Sequence, residues 1–239
     1  ANGIRSYITP KISDIIIRSS ENIHMFDTPL LLSRNNGLSF EQKLVKRFMD
    51  IVISLVMLII TSPFMLVTAV AIKLYDGGPV FFRQKRCTID GKEFFIHKFR
   101  SMIVDAEKEG EVIPATEDDD RITPVGKVIR KTRLDELPQF IDILKGDMSV
   151  VGPRPERVEH VEQYTQEIPE FAYRLKVKGG LTGYAQIYGK YNTTAYDKLK
   201  LDLMYIQNYS FLLDLKLIIM TVKIIFVKES TEGFEDTEK

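Results

Sequence analysis

Residues 51–72 read IVISLVMLIITSPFMLVTAVAI and carry no charged side chain from Ile51 to Ile72. As an α-helix this run would be roughly 33 Å long, enough to cross the hydrocarbon core of a bilayer. Two features argue against a simple crossing. Lys43, Lys46 and Arg47 precede the run, and Lys73, Arg83, Lys85 and Arg86 follow it. Basic residues favour the cytoplasmic side of a membrane segment, so basic flanks at both ends suit a segment that enters and leaves on one face. Ser62-Pro63 also sits near the middle. Pro63 removes a backbone donor and crowds the carbonyl of Ile59, which predicts a sharp bend. In lipid the freed backbone groups need partners, for which the Ser62 hydroxyl or another protein segment is suited. The preferred reading is a re-entrant helix-break-helix with its break at Ser62 and Pro63. A spanning helix comes second, and a buried helix of a soluble core third.

Outward from this run, 239 residues give room for one large domain, or one domain and a piece of another. With 44% hydrophobic and 28% charged residues, global disorder is excluded. Lys plus Arg and Asp plus Glu both number 33, so nothing in the overall charge would hold nucleic acid. The single cysteine, Cys87, excludes an intramolecular disulfide and a Cys-rich zinc site. His24, His97 and His160 show no metal-ligand spacing. The chain starts Ala1-Asn2-Gly3, without Met or a secretory signal pattern. Residues 1–42 read as the tail of a preceding domain and a linker, or equally as a mobile arm.

The remainder has soluble character. Val80–Gln84 and Glu93–Lys98 are β-prone around Asp90-Gly91, a hairpin signal. Residues 105–120 are acidic and irregular, as in a solvated loop. Helical patterns cover 136–145, 156–168 and 196–208, and 229–239 is a polar tail. From Phe211 to Val227 an apolar stretch is interrupted by Asp214, Lys216 and Lys223. Its lysines share one face, and Leu212, Leu215, Ile219, Val222 and Phe226 share another. Such a helix either lies in a membrane interface or packs on the domain as an ordinary amphipathic helix. The expected class is α+β, helix-dominated, with a small β-hairpin sheet.

Asp135-Glu136 precedes Leu137-Pro138. Proline fits the first turn of a helix, so a helix is expected to start at or just after Asp135, with Asp135 as its N-cap. There the helix dipole would favour an ionised carboxylate. An oriented carboxylate can attack phosphorus or bind magnesium, although an aspartate before a helix is commonly a plain cap. Arg130, Lys131 and Arg133 lie just upstream, and Lys98 and Arg100 end the second expected strand. Arg154 stands between Pro153 and Pro155 on a stiff backbone, which suits bidentate phosphate binding. Together these cations and carboxylates suggest an anionic phosphate substrate, while each cation alone could be a surface charge. Gly179-Gly180-Leu181-Thr182-Gly183 lacks the ending of a P-loop and reads as a structural turn.

Read together, these motifs resemble a known family. They are Lys46-Arg47-Phe48-Met49-Asp50, Ser62-Pro63, Gly78 through Gln84, Lys98 through Met102, and Arg121-Ile122-Thr123. Asp135-Glu136-Leu137-Pro138-Gln139, Gly146 through Pro155, Leu201-Asp202, Tyr205 and Ser210-Phe211 complete the set. The chain resembles, over about residues 43–228, a bacterial sugar transferase of the monotopic phosphoglycosyl transferase family. Residues 1–42 resemble the end of the extra domain that precedes the catalytic unit in longer members.

The resemblance implies a polyprenyl-phosphate hexose-1-phosphate transferase with a re-entrant membrane helix at 51–72. Asp135 would attack the β-phosphorus of a UDP-sugar, release UMP and carry a covalent sugar phosphate until polyprenyl (undecaprenyl) phosphate takes it. Glu136 would assist at the metal or in proton handling, and Asp135 and Glu136 would hold Mg2+. Arg130, Arg154, Lys98 and Arg100 would bind substrate phosphates, with Asp202 and Arg121 as further site residues. The implied place is the cytoplasmic face of a bacterial inner membrane, starting capsule, exopolysaccharide or O-antigen assembly. A homodimer is left open, and nucleic acid is not an expected partner. An inactive membrane-tethered scaffold is the alternative, against which the intact dyad argues. An aspartyl-phosphate phosphatase would need an Asp-x-Asp pattern that is missing. Four departures from the family pattern stand out. Gly179 replaces a usual proline, Asp120 replaces a proline, Asp142 replaces an asparagine, and Cys87-Thr88 replaces Val-Gly.

Overall fold

The computed structural model describes residues 10–18, 21–25, 28–32, 37–104, 106, 119–189 and 193–226. The elements run α1 (Ile12–Arg18), β1 (Glu21–Met25), β2 (Thr28–Leu32), α2 (Phe40–Asp76), β3 (Phe81–Cys87) and β4 (Glu93–Phe99). They continue with α3 (Pro124–Lys131), α4 (Gln139–Lys145), β5 (Ser149–Val151), α5 (Val158–Glu167) and β6 (Gly180–Thr182). The last are α6 (Tyr184–Tyr188), α7 (Ala195–Gln207) and α8 (Phe211–Phe226). Helices dominate, as expected of the α+β class. The strands form three two-stranded ladders, antiparallel β1–β2 and β3–β4 and parallel β5–β6.

The expected hairpin is β3–β4, with Phe81 opposite Phe99. Asp90 (φ 56°) and Gly91 (φ 73°) supply the left-handed residues of its turn, a conformation that glycine and aspartate tolerate best. The helical patterns correspond to α4, α5 and α7. Of the acidic stretch 105–120 only Ala106, Asp119 and Asp120 are described, and the tail 229–239 lies outside the described residues.

Ser39 and Gln42 form a reciprocal capping box at the start of α2, and Gly77 ends the helix in a left-handed conformation. The helix runs without interruption through Pro63, where the sequence predicts a break. The Ser62 hydroxyl donates to the Ile59 carbonyl at 2.9 Å, the very acceptor that Pro63 leaves without its N–H. Thr61 donates in the same way to Met57 at 2.7 Å. Among the described residues α2 is the helix long and apolar enough to cross a membrane, and only 11% of its most apolar window is buried. Leu55, Ile59, Ile60, Phe64, Leu66 and Val67 are all exposed. A buried helix of a soluble core is thereby set aside.

Both ends of α2 are tied into the folded unit. Arg47 donates to the carbonyls of Ile143 and Leu144 at 2.6 Å, closing the C-terminal end of α4. Lys46 is buried against Asp214 of α8 at 2.7 Å. Asp50 accepts from Ser149 Oγ and the Val150 N–H, both at 2.9 Å. At the far end Ile72 packs with Phe99 and Ile129, and Asp76 pairs with Arg100. Two of the basic residues before the apolar run are therefore bound inside the protein.

The main core joins Ile143 and Met148 to Val151, Tyr205 and Leu217, drawn from α4, β5, α7 and α8. A second cluster sets Ile12 and Ile15 of α1 against Phe171, Leu199 and Leu203. Part of the stretch expected as tail and linker is thus packed on α7. In α8 the buried positions are Asp214 and Leu217, while Leu212, Leu215, Ile219 and Val222 face outward. The apolar stripe read from the sequence is real in its spacing, and it is the uncovered face.

Candidate active site

Thr123 caps α3 by accepting from the Gly126 N–H at 2.9 Å, and Pro124 fills the first turn. After Thr132 the chain turns at Arg133, which has φ 58° although it is not glycine. That conformation costs an L-residue about 1–2 kcal/mol, and strain of this kind collects at functional sites. Leu134–Glu136 then form a short 3₁₀ turn, closed by Glu136 N–H to the Arg133 carbonyl (3.3 Å) and Leu137 N–H to the Leu134 carbonyl (3.2 Å). The α-helix proper begins at Gln139, after Pro138.

Asp135 is therefore inside a 3₁₀ turn and is not the N-cap of an α-helix. Arg133 redirects the chain early, and Pro138, which has no N–H, delays the α-helical ladder. The expected dipole support for an ionised Asp135 is replaced by a different electrostatic setting. Burial, and next the charge of Glu136, push the Asp135 carboxyl above its ordinary value, opposed by Lys98, Arg133 and Arg130. Its Oδ1 is buried and has no protein partner.

Glu136 stands in contrast. Its Oε1 accepts from Lys98 Nζ at 2.8 Å and from Arg154 at 2.7 Å. Burial alone would raise this carboxyl, but Arg154 and Lys98 outweigh it and hold it well below the usual carboxylate range. Burial in turn pushes Lys98 down against the pull of Glu136, and Glu136 holds Arg154 up. The dyad is thus split into one carboxylate locked ionised and one with a raised pKa and a buried, unpartnered oxygen. Two carboxylates among Lys98, Arg154, Arg130 and Arg133 leave a surplus of positive charge, the balance that an anionic ligand would complete. The Arg154 side chain is partly exposed, which leaves room for such a ligand beside it.

Of the residues read from the sequence, Asp135, Glu136, Lys98, Arg154 and Arg130 come together here. Arg100, expected on substrate phosphate, does not. Its guanidinium is bidentate on Asp76 and also bonds the carbonyls of Pro79 and Met102. The reason is that β4 ends at Phe99, so Arg100 follows the next loop to the end of α2. Arg121 pairs with Asp119 and the Ala106 carbonyl. Asp202 is buried on α7 and pairs with Arg174 at 2.9 Å, behind Arg154 and not on the dyad.

Three further features went unread. Arg133 was seen only as one of several nearby cations, and its left-handed backbone has no sequence signal. His97, beside Lys98, binds Asp142 twice, through its N–H at 2.9 Å and its Nδ1 at 2.6 Å, tying β4 to α4. The aspartate in place of asparagine was its only hint. Two other departures meet each other. The Thr88 hydroxyl accepts from the Gly179 N–H at 3.1 Å and donates to the Asp147 carbonyl at 2.9 Å. A proline at 179 would have no N–H to give.

Among the described residues no group of three or more His, Cys, Asp or Glu could hold a metal by itself. Adjacent carboxylates with one unpartnered buried oxygen are nonetheless hard donors that suit magnesium, which completes its shell with water and substrate phosphate.

The profile described as bacterial sugar transferase matches residues 41–228. A UDP-glucose:undecaprenyl-phosphate glucose-1-phosphate transferase of Klebsiella pneumoniae is 46% identical over 213 residues, covering 87% of this chain and 44% of the relative. A UDP-N-acetylgalactosamine-undecaprenyl-phosphate N-acetylgalactosaminephosphotransferase of Aeromonas hydrophila is 46% identical, covering 76% of this chain and 43% of the relative. An uncharacterized sugar transferase of Bacillus subtilis is 40% identical, covering 79% of this chain and 91% of the relative. The chain spans less than half the length of the first two relatives and matches the third over most of its length.

Proposed function

The chain belongs to the bacterial sugar transferase family, and from that premise we propose that it moves a sugar-1-phosphate from a UDP-sugar to polyprenyl phosphate, releasing UMP. The observation that carries this reading is the split dyad, with Asp135 Oδ1 buried and unpartnered beside a Glu136 locked by Lys98 and Arg154. In the first step the Asp135 carboxylate forms a bond to the β-phosphorus, and the bond from that phosphorus to the bridging oxygen breaks. UMP leaves with the electron pair. In the second step a phosphate oxygen of the polyprenyl acceptor attacks the same phosphorus, and Asp135 is restored as a carboxylate. The bond between the sugar and its phosphate is never cut, so anomeric configuration is retained.

Glu136 has a separate task. Kept ionised, it holds Lys98 and Arg154 in place, and these cations then meet the charge of the donor diphosphate. Arg130 and Arg133 add positive potential on the Asp135 side. Asp135 and Glu136 would hold magnesium, which when bound neutralises diphosphate charge.

Membrane placement follows the same proposal. Both ends of α2 are anchored in one folded unit through Arg47, Asp50 and Asp76, while its middle is uncovered. A spanning helix would carry these ends to opposite sides of the bilayer. The anchoring supports entry and exit on one face, the cytoplasmic one, where UDP-sugars are supplied. The outward stripe of α8 supports a helix lying in the interface. Pro63→Leu removes the helix-breaking residue and is expected to shift α2 toward spanning. Labelling of single introduced cysteines from both sides of the membrane reads the change, and unchanged topology counts against the re-entrant reading.

UMP release by the purified chain in nanodiscs, with magnesium and undecaprenyl phosphate, tests the reaction. Relatives of equal identity carry glucose and N-acetylgalactosamine donors in their names, so the donor panel includes both. Release with one donor, lost in Asp135→Asn, is the expected result. Full activity in a folded Asp135→Asn variant overturns the nucleophile assignment.

A further inference from the structure

The turn that presents Arg154 is held at one carbonyl after another. The Pro153 carbonyl accepts from the Gly180 N–H at 2.8 Å, and the Glu156 carbonyl from the Cys87 N–H at 3.0 Å. The Pro155 carbonyl accepts from the Arg86 guanidinium at 3.0 Å. The carbonyl of Arg154 itself accepts from Arg174 at 2.8 Å. Arg174 is 4% exposed, and Asp202, 1% exposed, grips it through Nε and through its terminal nitrogen, both at 2.9 Å. The Phe171 ring lies 4.9 Å from the guanidinium and Glu156 lies 3.8 Å away. Three residues along α7 from Asp202, the Tyr205 hydroxyl, which donates to Asp214 at 2.8 Å, lies 3.2 Å from the Val151 carbonyl. α7 therefore holds the Arg154 end of this segment by way of Arg174, while Tyr205 lies beside its Val151 end.

A buried arginine–aspartate pair is a poor device for stability alone, because desolvation offsets much of its attraction and an apolar pair can serve as well. What an apolar pair could not do is donate to the Arg154 carbonyl. We infer that Arg174 and Asp202 are a positioning unit that fixes the Arg154 backbone, and with it the guanidinium that grips Glu136. The functional half of this inference rests on the proposed reaction; the clamp itself does not. Neither residue touches the dyad, so their effect must pass through Arg154.

The test uses Arg174→Lys and Asp202→Asn, each alone and combined with Arg154→Ala, in the full chain in nanodiscs. Two readouts are taken. Amide hydrogen exchange across 152–157 reports on the clamp whether or not the protein turns over. UMP release per folded molecule reports on the reaction. The expected result is faster exchange in that segment, with kcat lowered by about tenfold or more and KM changed little. In the Arg154→Ala background the same substitutions should change kcat by no more than about twofold, because their target is gone. Equal losses of kcat in both backgrounds would reveal a merely structural role and overturn the inference. So would unchanged exchange, or full kcat with faster exchange. Should Arg174→Lys not fold, the isosteric Asp202→Asn carries the same test. A wild-type chain that releases no UMP from any donor counts against the proposed reaction, while the exchange measurement still judges the clamp.

Discussion

Lys98 and Arg100 stand two residues apart where β4 ends at Phe99. Lys98 reaches Glu136, which Arg154 also holds, so two cations share one carboxylate. Arg100 turns to Asp76, one cation to one carboxylate, and spends its remaining donors on backbone carbonyls. The first arrangement carries surplus positive charge beside an unpartnered Asp135 oxygen. The second is balanced and closed. Surplus charge at a partly open cluster marks a place for an anionic ligand, whereas a balanced pair marks a clamp, here between the hairpin and the end of α2. Both are basic residues at the end of one strand; local backbone geometry separated them.

The sharpest break in this comparison is at the unpartnered oxygen. Asp135→Asn is expected to lower UMP release by at least about 10³-fold. It should leave the thermal midpoint at neutral pH unchanged or higher. Burial and Glu136 raise the Asp135 pKa in the fold. Any stability from that shift is complete below the ordinary value of 3.8 and is lost as pH rises through the raised value. Deprotonation of this buried group therefore strains the fold, and a clear drop in midpoint would contradict this.

Lys98→Met keeps Arg154 on Glu136 and removes the surplus positive charge there. A fall in kcat of about 10–100-fold is expected at saturating donor. Arg100→Met sharpens the contrast from the other side. Activity per folded molecule should stay within about threefold, while the thermal midpoint at neutral pH falls. Arg100 lowers the Asp76 pKa from 3.8 to about 2, so the pair's stabilisation is present above 3.8 and is lost as pH falls through about 2. The gap between wild-type and Arg100→Met midpoints should therefore narrow as pH falls toward about 2, down to the part due to the lost carbonyl bonds, and a gap that does not narrow would count against the ion pair. The smallest effect is expected at Thr88→Val, which removes the bonds to Gly179 and Asp147 and should cost about 1 kcal/mol in denaturant unfolding.

Features written in local composition were legible. The uncharged run, the Ser62 bond to Ile59, the hairpin around Asp90-Gly91 and the spacing of the α8 stripe all follow from residues near one another in sequence. What was not legible depends on distant partners. Asp214 is buried because Lys46 of α2 and Tyr205 of α7 satisfy it, and so α8 turns Leu212, Leu215, Ile219 and Val222 outward, the reverse of what polarity alone suggests. Arg133 adopts a left-handed backbone that its side chain does not announce, and this displaced Asp135 from the expected helix cap. Asp202 matched a pattern without a role until Arg174 and the Arg154 carbonyl were seen beside it.

The central claim is that Asp135 becomes covalently linked to a sugar phosphate. Peptide mass spectrometry of the chain quenched after mixing with its UDP-sugar and magnesium, without polyprenyl phosphate, tests it directly. The account predicts a mass increase of one sugar phosphate on the peptide carrying Asp135, absent in Asp135→Asn and discharged when polyprenyl phosphate is added. UMP release that proceeds only with acceptor present and leaves no adduct, or an adduct on Glu136, would contradict it.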